Sequence, residues 1–509
     1  MINKFDELTK AMAGSVTRRA ALKKLGVGLA GTGLVGIALA GLVTFPARAQ
    51  VSVAGPLVEL SQPNPVGTCD DGFRIGGTFT LNDATEPVIA VNPLNPNNVV
   101  ASWILGPAQN IISSVSLDGG RNWRQVPIPL TACSGGSLIA AVEPWLSFGP
   151  NGTLYAVNIA GMTVPTLGVY VSKSTDGGLD WSPSLLIPGT ASAAPFHASI
   201  TADRTDARFA YAAWKGTADK NQYPAVFSRT TDGGLTWETA RIIFQPAQHS
   251  FVDINQIFVL QDGTVVDLFF LYSQAPNGTI KGQNVAVLRS VDKGQTWSAP
   301  ILGPATTPLF QPNGDDLIVD PETGTLLDDS GQPAFAQDPV SGALYAAWED
   351  ARFSNFQYIE IAFSMSTDGG LTWSKPIRVN QTPSSIAPLN RQAFLPAVAV
   401  MPDGTIGVSY YDFRFNDPGP GLPTDYWLVQ CRPLAAAPAS NPANWGNEVR
   451  LTTTSFNLEA CVERLETQDQ FFLGHYVTGL VGSGKGFAAA FTAVDQHGIT
   501  AIFGRRVGP

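Results

Sequence analysis

This chain has little charge and little cysteine, and it lacks the short motifs that mark many enzymes. Charged residues make up 14% of its 509 positions, and the balance is acidic, 41 Asp and Glu against 31 Lys and Arg. A formal charge of −10 argues against nucleic acid or an anionic membrane as a partner. The four cysteines, Cys69, Cys133, Cys431 and Cys461, show no C-x-x-C spacing, which disfavours zinc. No GxSxG, HExxH or P-loop pattern occurs, which disfavours a serine hydrolase, a zincin and a nucleotide enzyme.

What the chain does have is 51 Gly, 38 Pro and many aromatic and β-branched residues, the composition of a turn-rich all-β protein. An eight-residue pattern also occurs five times: SLDGGRNW from Ser116, STDGGLDW from Ser174, TTDGGLTW from Thr230, SVDKGQTW from Ser290 and STDGGLTW from Ser366. Its aspartates, Asp118, Asp176, Asp232, Asp292 and Asp368, are spaced by 58, 56, 60 and 76 residues. That recurrence is a structural unit copied along the chain. An apolar alternating run precedes each copy and a strand-like run follows it. Between them the Asp accepts backbone N–H groups, the glycines take positive φ, and a tight hairpin turn results. The tryptophan is expected to pack back over its own turn. Each box therefore reads as a structural clasp rather than a catalytic acid.

These boxes resemble the Asp-box, or BNR repeat, of bacterial sialidases, over roughly residues 84–380. The resemblance implies a β-propeller with the boxes between the third and fourth strands of each blade; it implies an activity only weakly. Read this way, FLPAVAVMPDGTIGVSYYD with DYWLVQC makes a sixth unit, and its turn is lost to a Pro/Ala-rich insertion near 433–445. A seventh unit runs through FLGHYVTGLV, GFAAAFTAV and TAIFGRRV, and its missing fourth strand can come from VSVAGPLVEL at 51–60. The expected fold is an all-β propeller of four-stranded antiparallel blades closed by the N-terminal strand, with seven blades favoured and six the alternative.

The first 49 residues read as an export signal. Thr17-Arg18-Arg19-Ala20-Ala21-Leu22-Lys23 resembles the twin-arginine motif, an apolar run follows from Leu25 to Phe45, and Ala47-Arg48-Ala49 has the form of a cleavage site. The alternative is an uncleaved anchor. Cleavage leaves a single propeller domain, 50–509, with 24 basic and 39 acidic residues. It is expected to be monomeric, periplasmic or extracellular, and not inserted in a membrane. Four cysteines in an exported protein suggest two disulfides. Three pairings are open, and Cys69–Cys133 with Cys431–Cys461 is favoured because each would clip one neighbourhood.

Chemistry is expected on the loop face around the central channel. First-strand polar residues there are Glu86, Glu143, His197, Asp253, Gln256 and His475. Glu86, Glu143 and Asp253 could hold a cation, calcium if oxygen ligands dominate; a hydrated channel is the alternative, and no cofactor is required. Trp348-Glu349-Asp350-Ala351-Arg352 and Tyr410-Tyr411-Asp412-Phe413-Arg414 each place Asp and Arg two apart at a strand end, where they pair or face a ligand. These segments are similar to the D-x-R of sialidases. The resemblance implies an arginine clamp for a sugar carboxylate, here Arg352, Arg391, Arg414 and Arg74, with Arg464 a further member. It implies a Tyr/Glu nucleophile, here Tyr476 with Glu466 or Glu463, and an aspartic acid that protonates the leaving group, here Asp350. Phe73-Arg74-Ile75-Gly76 departs from the family landmark by carrying glycine for proline, and Phe394-Leu395-Pro396 lacks its arginine. The expected function is glycan recognition, with exo-sialidase chemistry as the enzymatic form. The alternatives are a non-catalytic glycan- or protein-binding propeller, with Tyr410, Tyr411, Phe415 and Trp427 stacking on sugars, and a hydrolase or lyase for another polysaccharide.

Overall fold

The computed structural model describes residues 52–508 except 70–79, 107–109, 164–165, 191–194, 218–221, 310–316, 328–330, 435–437, 466–467 and 475–478. The export segment, Arg74, Glu466, His475 and Tyr476 lie outside the described residues. The hairpin Val462–Leu465 with Gln468–Phe471 carries Glu463 and Arg464 and stands apart from the main sheets.

Seven antiparallel sheets, each on a four-strand path, follow one another along the chain. Blade 1 is Ala84–Asn92, Asn95–Leu105, Asn110–Ser116 and Arg124–Pro127, and the same hairpin order builds blades 2 to 6. Their first strands are Ala140–Phe148, Phe196–Ala202, Ser250–Val259, Ala334–Gln337 and Ala393–Val400. Blade 7 runs Leu480–Ser483, Gly486–Val494 and Thr500–Gly508, and takes its outer strand, Val53–Glu59, from the other end of the chain. Val53 lies opposite Gly508 and Glu59 opposite Phe503. The first strand of blade 7 packs against those of blades 6 and 1. The ring is closed, the protein is a seven-bladed propeller, and pairing of the two chain ends covers what would otherwise be an exposed sheet edge.

Because each blade is flanked on both sides, its middle strands are buried on both faces and read as near-continuous apolar runs. Tyr410 and Tyr411 show the consequence of strand alternation. The first packs towards blade 5 with Phe363, and the second towards blade 7 with Phe491. Tyr410, Tyr411 and Trp427 are therefore core residues rather than exposed sugar-stacking groups; of the four expected, Phe415 alone stands out into solvent, half exposed.

The five boxes share one geometry. Each carboxylate accepts the hydroxyl two residues earlier at 2.7–2.9 Å and the N–H four residues on at 2.9–3.0 Å. That hydroxyl in turn accepts the N–H of the glycine at the box's fifth position. Trp123 packs back on its own turn as expected, donating to the Gly120 carbonyl at 3.2 Å; in blades 2 and 4 the expectation needs correction, because the tryptophan there is a wedge against the preceding blade. Trp181 donates to Ser113 Oγ of blade 1 at 3.2 Å, and Trp297 of blade 4 meets Phe227 of blade 3 edge-on at 5.2 Å. The box glycines meet that same neighbour. A Cβ on Gly178 would lie 3.1 Å from Val100 and Val115 of blade 1, and one on Gly370 3.0 Å from Val287 of blade 4.

Cys69 and Cys133 are joined. The second expected pair is not formed, and Cys431 and Cys461 are buried free thiols. Cys431 packs on the face of blade 6 turned to blade 5, and Cys461 on the face turned to blade 7. A sheet separates them, although they are near in sequence.

Candidate functional site at the channel mouth

All seven first strands run in one sense, so their beginnings form one mouth of the channel and their ends the other. Mid-channel is a cavity of about 260 Å³ with mainly apolar walls, among them Ile89, Leu146, Ile200, Ile257, Val398 and Leu480, beside Ser147, Thr201 and Gln256. The polar first-strand residues do not converge there, Gln256 apart; they sit at the starting ends. Glu86, Glu143, His197, Ile254 and Leu395 all take a left-handed backbone conformation, with φ between 48° and 56°. Each lies in a bulge where the strand slips register against its neighbour. Non-glycine residues persist in that region only where surrounding contacts impose it, at about 1–3 kcal/mol each. Bulges of this kind aim side chains at a site.

The contacts that impose it run between blades. Glu143 of blade 2 accepts the His197 N–H of blade 3, and Glu349 of blade 5 accepts the Leu395 N–H of blade 6 at 2.6 Å. Around blades 3 and 4 they extend into a charged cluster. His197 Nδ1 lies 2.6 Å from Asp253 Oδ1, and Lys215 Nζ donates to Asp253 Oδ2 at 2.7 Å. On its other side His197 Nε2 lies 3.0 Å from the Gln332 amide of blade 5. Burial alone would raise the Asp253 carboxyl; Lys215 and His197 outweigh it and hold it well below the ordinary carboxylate range. The Lys215 ammonium also lies 5.4–5.7 Å from the rings of Phe196, Tyr223 and Phe251, within cation–π range. Phe251 stacks flat on Tyr272 at 4.3 Å, and Phe196 is 40% exposed. An aromatic shelf thus stands beside a largely buried acid, base and ammonium, a mixture suited to an amphipathic ligand.

The expected arginines are engaged locally. Arg352 makes a two-pronged pair with Asp350, at 2.7 Å for Nε and for Nη2. Asp350 also accepts from Trp348 Nε1 at 2.8 Å and the Thr307 N–H at 3.0 Å, so its carboxylate is fully occupied. Arg414 bridges Asp412 and Glu448 and lies 3.7 Å over the Trp427 ring. Burial works against its charge, and Glu448 and Asp412 more than offset that. Arg391 donates to its own loop at the Ile386 carbonyl and to Tyr358 OH at 3.3 Å. Among the described residues, no three His, Cys, Asp or Glu side chains gather as ligands for a metal ion; Glu143 and Asp253, offered as calcium ligands, are committed to the contacts above. No helix among the described residues is long and apolar enough to cross a membrane.

Sequence reading missed Lys215, Tyr223, Phe251 and Gln332. The signal for Lys215 was present: the second strands of blades 3 and 5 both read Tyr-Ala-Ala-Trp, followed by Lys215 in one and Glu349 in the other.

No protein-family model and no curated protein matches the chain. Among solved structures it is similar to a protein of unknown function from Dyadobacter fermentans, 13% identical with a TM-score of 0.46, over 90% of this chain and 99% of that one. It is also similar to the GH93 α-L-arabinofuranosidase of Fusarium graminearum, 13% identical, TM-score 0.45, over 70% and 92%. A third is the intramolecular trans-sialidase from Ruminococcus gnavus, 13% identical, TM-score 0.41, over 86% and 97%. Likenesses this distant carry no activity to the present chain.

Proposed function

We propose that this protein is an exported Asp-box propeller that recognises a glycan at the channel mouth, over blades 3 and 4. The observation that supports this reading is the aromatic shelf of Phe196, Tyr223 and Phe251 around the Lys215–Asp253–His197 cluster. Apolar ring faces of a sugar suit the shelf, and its hydroxyls suit the charged groups. Binding without cleavage is favoured over a sialidase because Arg352, Arg391 and Arg414 already spend their guanidinium donors on partners within the fold. Screening the 50–509 protein against immobilised oligosaccharides should give a binder, and Phe196→Ala, an exposed position, should weaken it about tenfold. Binding indifferent to that change would remove the reading.

One observation favours hydrolysis as the second reading. Gly474, two residues before Tyr476, lies so close to Glu86 that a Cβ on it would stand 2.9 Å from Glu86 Cγ. A glutamate beside Gly474 suits a Tyr/Glu nucleophile. Turnover of a fluorogenic sialoside, lost in Tyr476→Phe, would establish it; absence of turnover by folded protein would leave binding alone.

A further inference from the structure

A second cavity, of about 350 Å³, lies where the two ends of the chain meet, between the outer strand of blade 7 and the outer strands of blade 1. Its walls include Glu59, Ser114, Arg121, Trp123 and Gln125. Three of these carry side-chain oxygens that are buried and without a hydrogen-bond partner among the described residues: Glu59 Oε1, Ser114 Oγ and Gln125 Oε1. Buried polar atoms are nearly always paired, so three on one cavity call for an explanation. A flip of the amide does not resolve Gln125. Gln125 Nε2 donates to the Leu60 carbonyl at 2.7 Å, which fixes the amide and leaves its oxygen unused. Ser114 lies directly opposite Gln125 across the strand pair. Trp123 is held by its own Nε1, which donates to the Gly120 carbonyl at 3.2 Å, so an indole flanks the same space.

We propose that this seam pocket binds one uncharged sugar ring or a similar polyol. Two of the unused oxygens, on Glu59 and Gln125, are acceptors, so an occupant must bring donors; the Ser114 hydroxyl can give or take. The two acceptors disfavour an anion, and the Arg121 guanidinium in the same lining offsets the pull of Glu59 on a cation. Hydroxyl groups on a ring with an apolar face satisfy both the acceptors and the indole. The volume sits near the lower end of small-ligand clefts, roughly 300–1,000 Å³, which suits a single ring rather than a chain. The site lies apart from the channel mouth and does not depend on the reading given to it.

Saturation-transfer NMR of the 50–509 protein with glucose, galactose, mannose and N-acetylglucosamine tests the proposal, with N-acetylneuraminic acid and glucosamine as charged controls. At least one neutral sugar should show transfer that exceeds both controls. Ser114→Ala removes an unpaired hydroxyl and leaves the fold intact, and should weaken that binding about fivefold. Measured in a Phe196→Ala background, which removes the channel-mouth contribution, Gln125→Leu should abolish it. No transfer from any neutral sugar would overturn the proposal. So would transfer that persists in the Phe196→Ala background and that Ser114→Ala leaves untouched there.

Discussion

Blades 1 to 5 carry the eight-residue box and blades 6 and 7 do not, yet all seven close against their neighbours. The comparison separates what the box does from how it is spelled. In blade 4, Trp297 wedges against Phe227 of blade 3, five residues before that blade's Asp232, at 5.2 Å and 72°. In blade 6 no box exists, but Trp445 meets Phe363 of blade 5, five residues before Asp368, at 4.7 Å and 64°. Its Nε1 donates to the Ala439 carbonyl at 2.8 Å, so a Pro/Ala-rich loop presents the indole that a box presents elsewhere. Blade 7 has no box for a topological reason. Its third and fourth strands come from opposite ends of the chain, and no turn can join them. There the seam is held by strand pairing and by Arg505, which donates to the carbonyls of Gly55 at 2.8 Å and Leu451 at 2.7 Å.

The inter-blade wedge, rather than the carboxylate, should therefore dominate stability. Trp445→Ala is expected to cost about 3–5 kcal/mol, as much as Trp237→Ala in a boxed blade, since both remove a buried indole from between blades. Denaturant unfolding of the two variants side by side checks this. A cost below about 1 kcal/mol for Trp445→Ala alone would mean that blade 6 is held by other means and that its resemblance to a boxed blade is superficial.

The same comparison explains what could be read from the chain alone. Five boxes set the blade period, and strand alternation extended it through blades 6 and 7 to the closing strand Val53–Glu59. Disulfide pairing was less legible, because nearness in sequence does not say that a sheet lies between Cys431 and Cys461. Exposure was misread at Tyr410 and Tyr411, since a strand flanked on both faces gives the same aromatic pattern as a binding surface. The channel-mouth site was half legible. Glu143, His197 and Asp253 were recognisable as first-strand polar residues, but their partners Lys215 and Gln332 come from other blades at separations that no local motif records.

Acid should distinguish the two classes of blade. The Thr296 hydroxyl and N–H on its carboxylate lower Asp292 to about 2, against slight desolvation. Its folded value lies below the ordinary 3.8, so its contribution is present above that pH and is lost as pH falls towards 2. Asp292→Asn should cost about 1 kcal/mol at neutral pH, as for loss of a comparable cap, and should make stability less steep between pH 4 and about 2. A slope unchanged from the parent protein in that window would show that this box carboxylate contributes nothing through its charge.

An effect no larger is expected at the one box that departs from its own pattern. Where the other four have glycine, blade 4 has Lys293, held at φ 58°. A left-handed non-glycine residue costs about 1–2 kcal/mol. Against this, Lys293 Nζ donates to Asp203 Oδ2 at 2.6 Å and Thr205 Oγ1 at 3.0 Å, both on blade 3. Asp203 is buried, and it also accepts from Tyr211 OH at 2.7 Å. A charge-assisted bond to a buried acid contributes about 1.5–3 kcal/mol, so the tie outweighs the strain. Lys293→Gly should then destabilise the protein by about 1 kcal/mol, and the loss should vanish in an Asp203→Asn background. A stabilised Lys293→Gly would reverse the ranking: backbone strain would outweigh the ion pair, and the lysine would be tolerated at this turn rather than acting as its inter-blade tie.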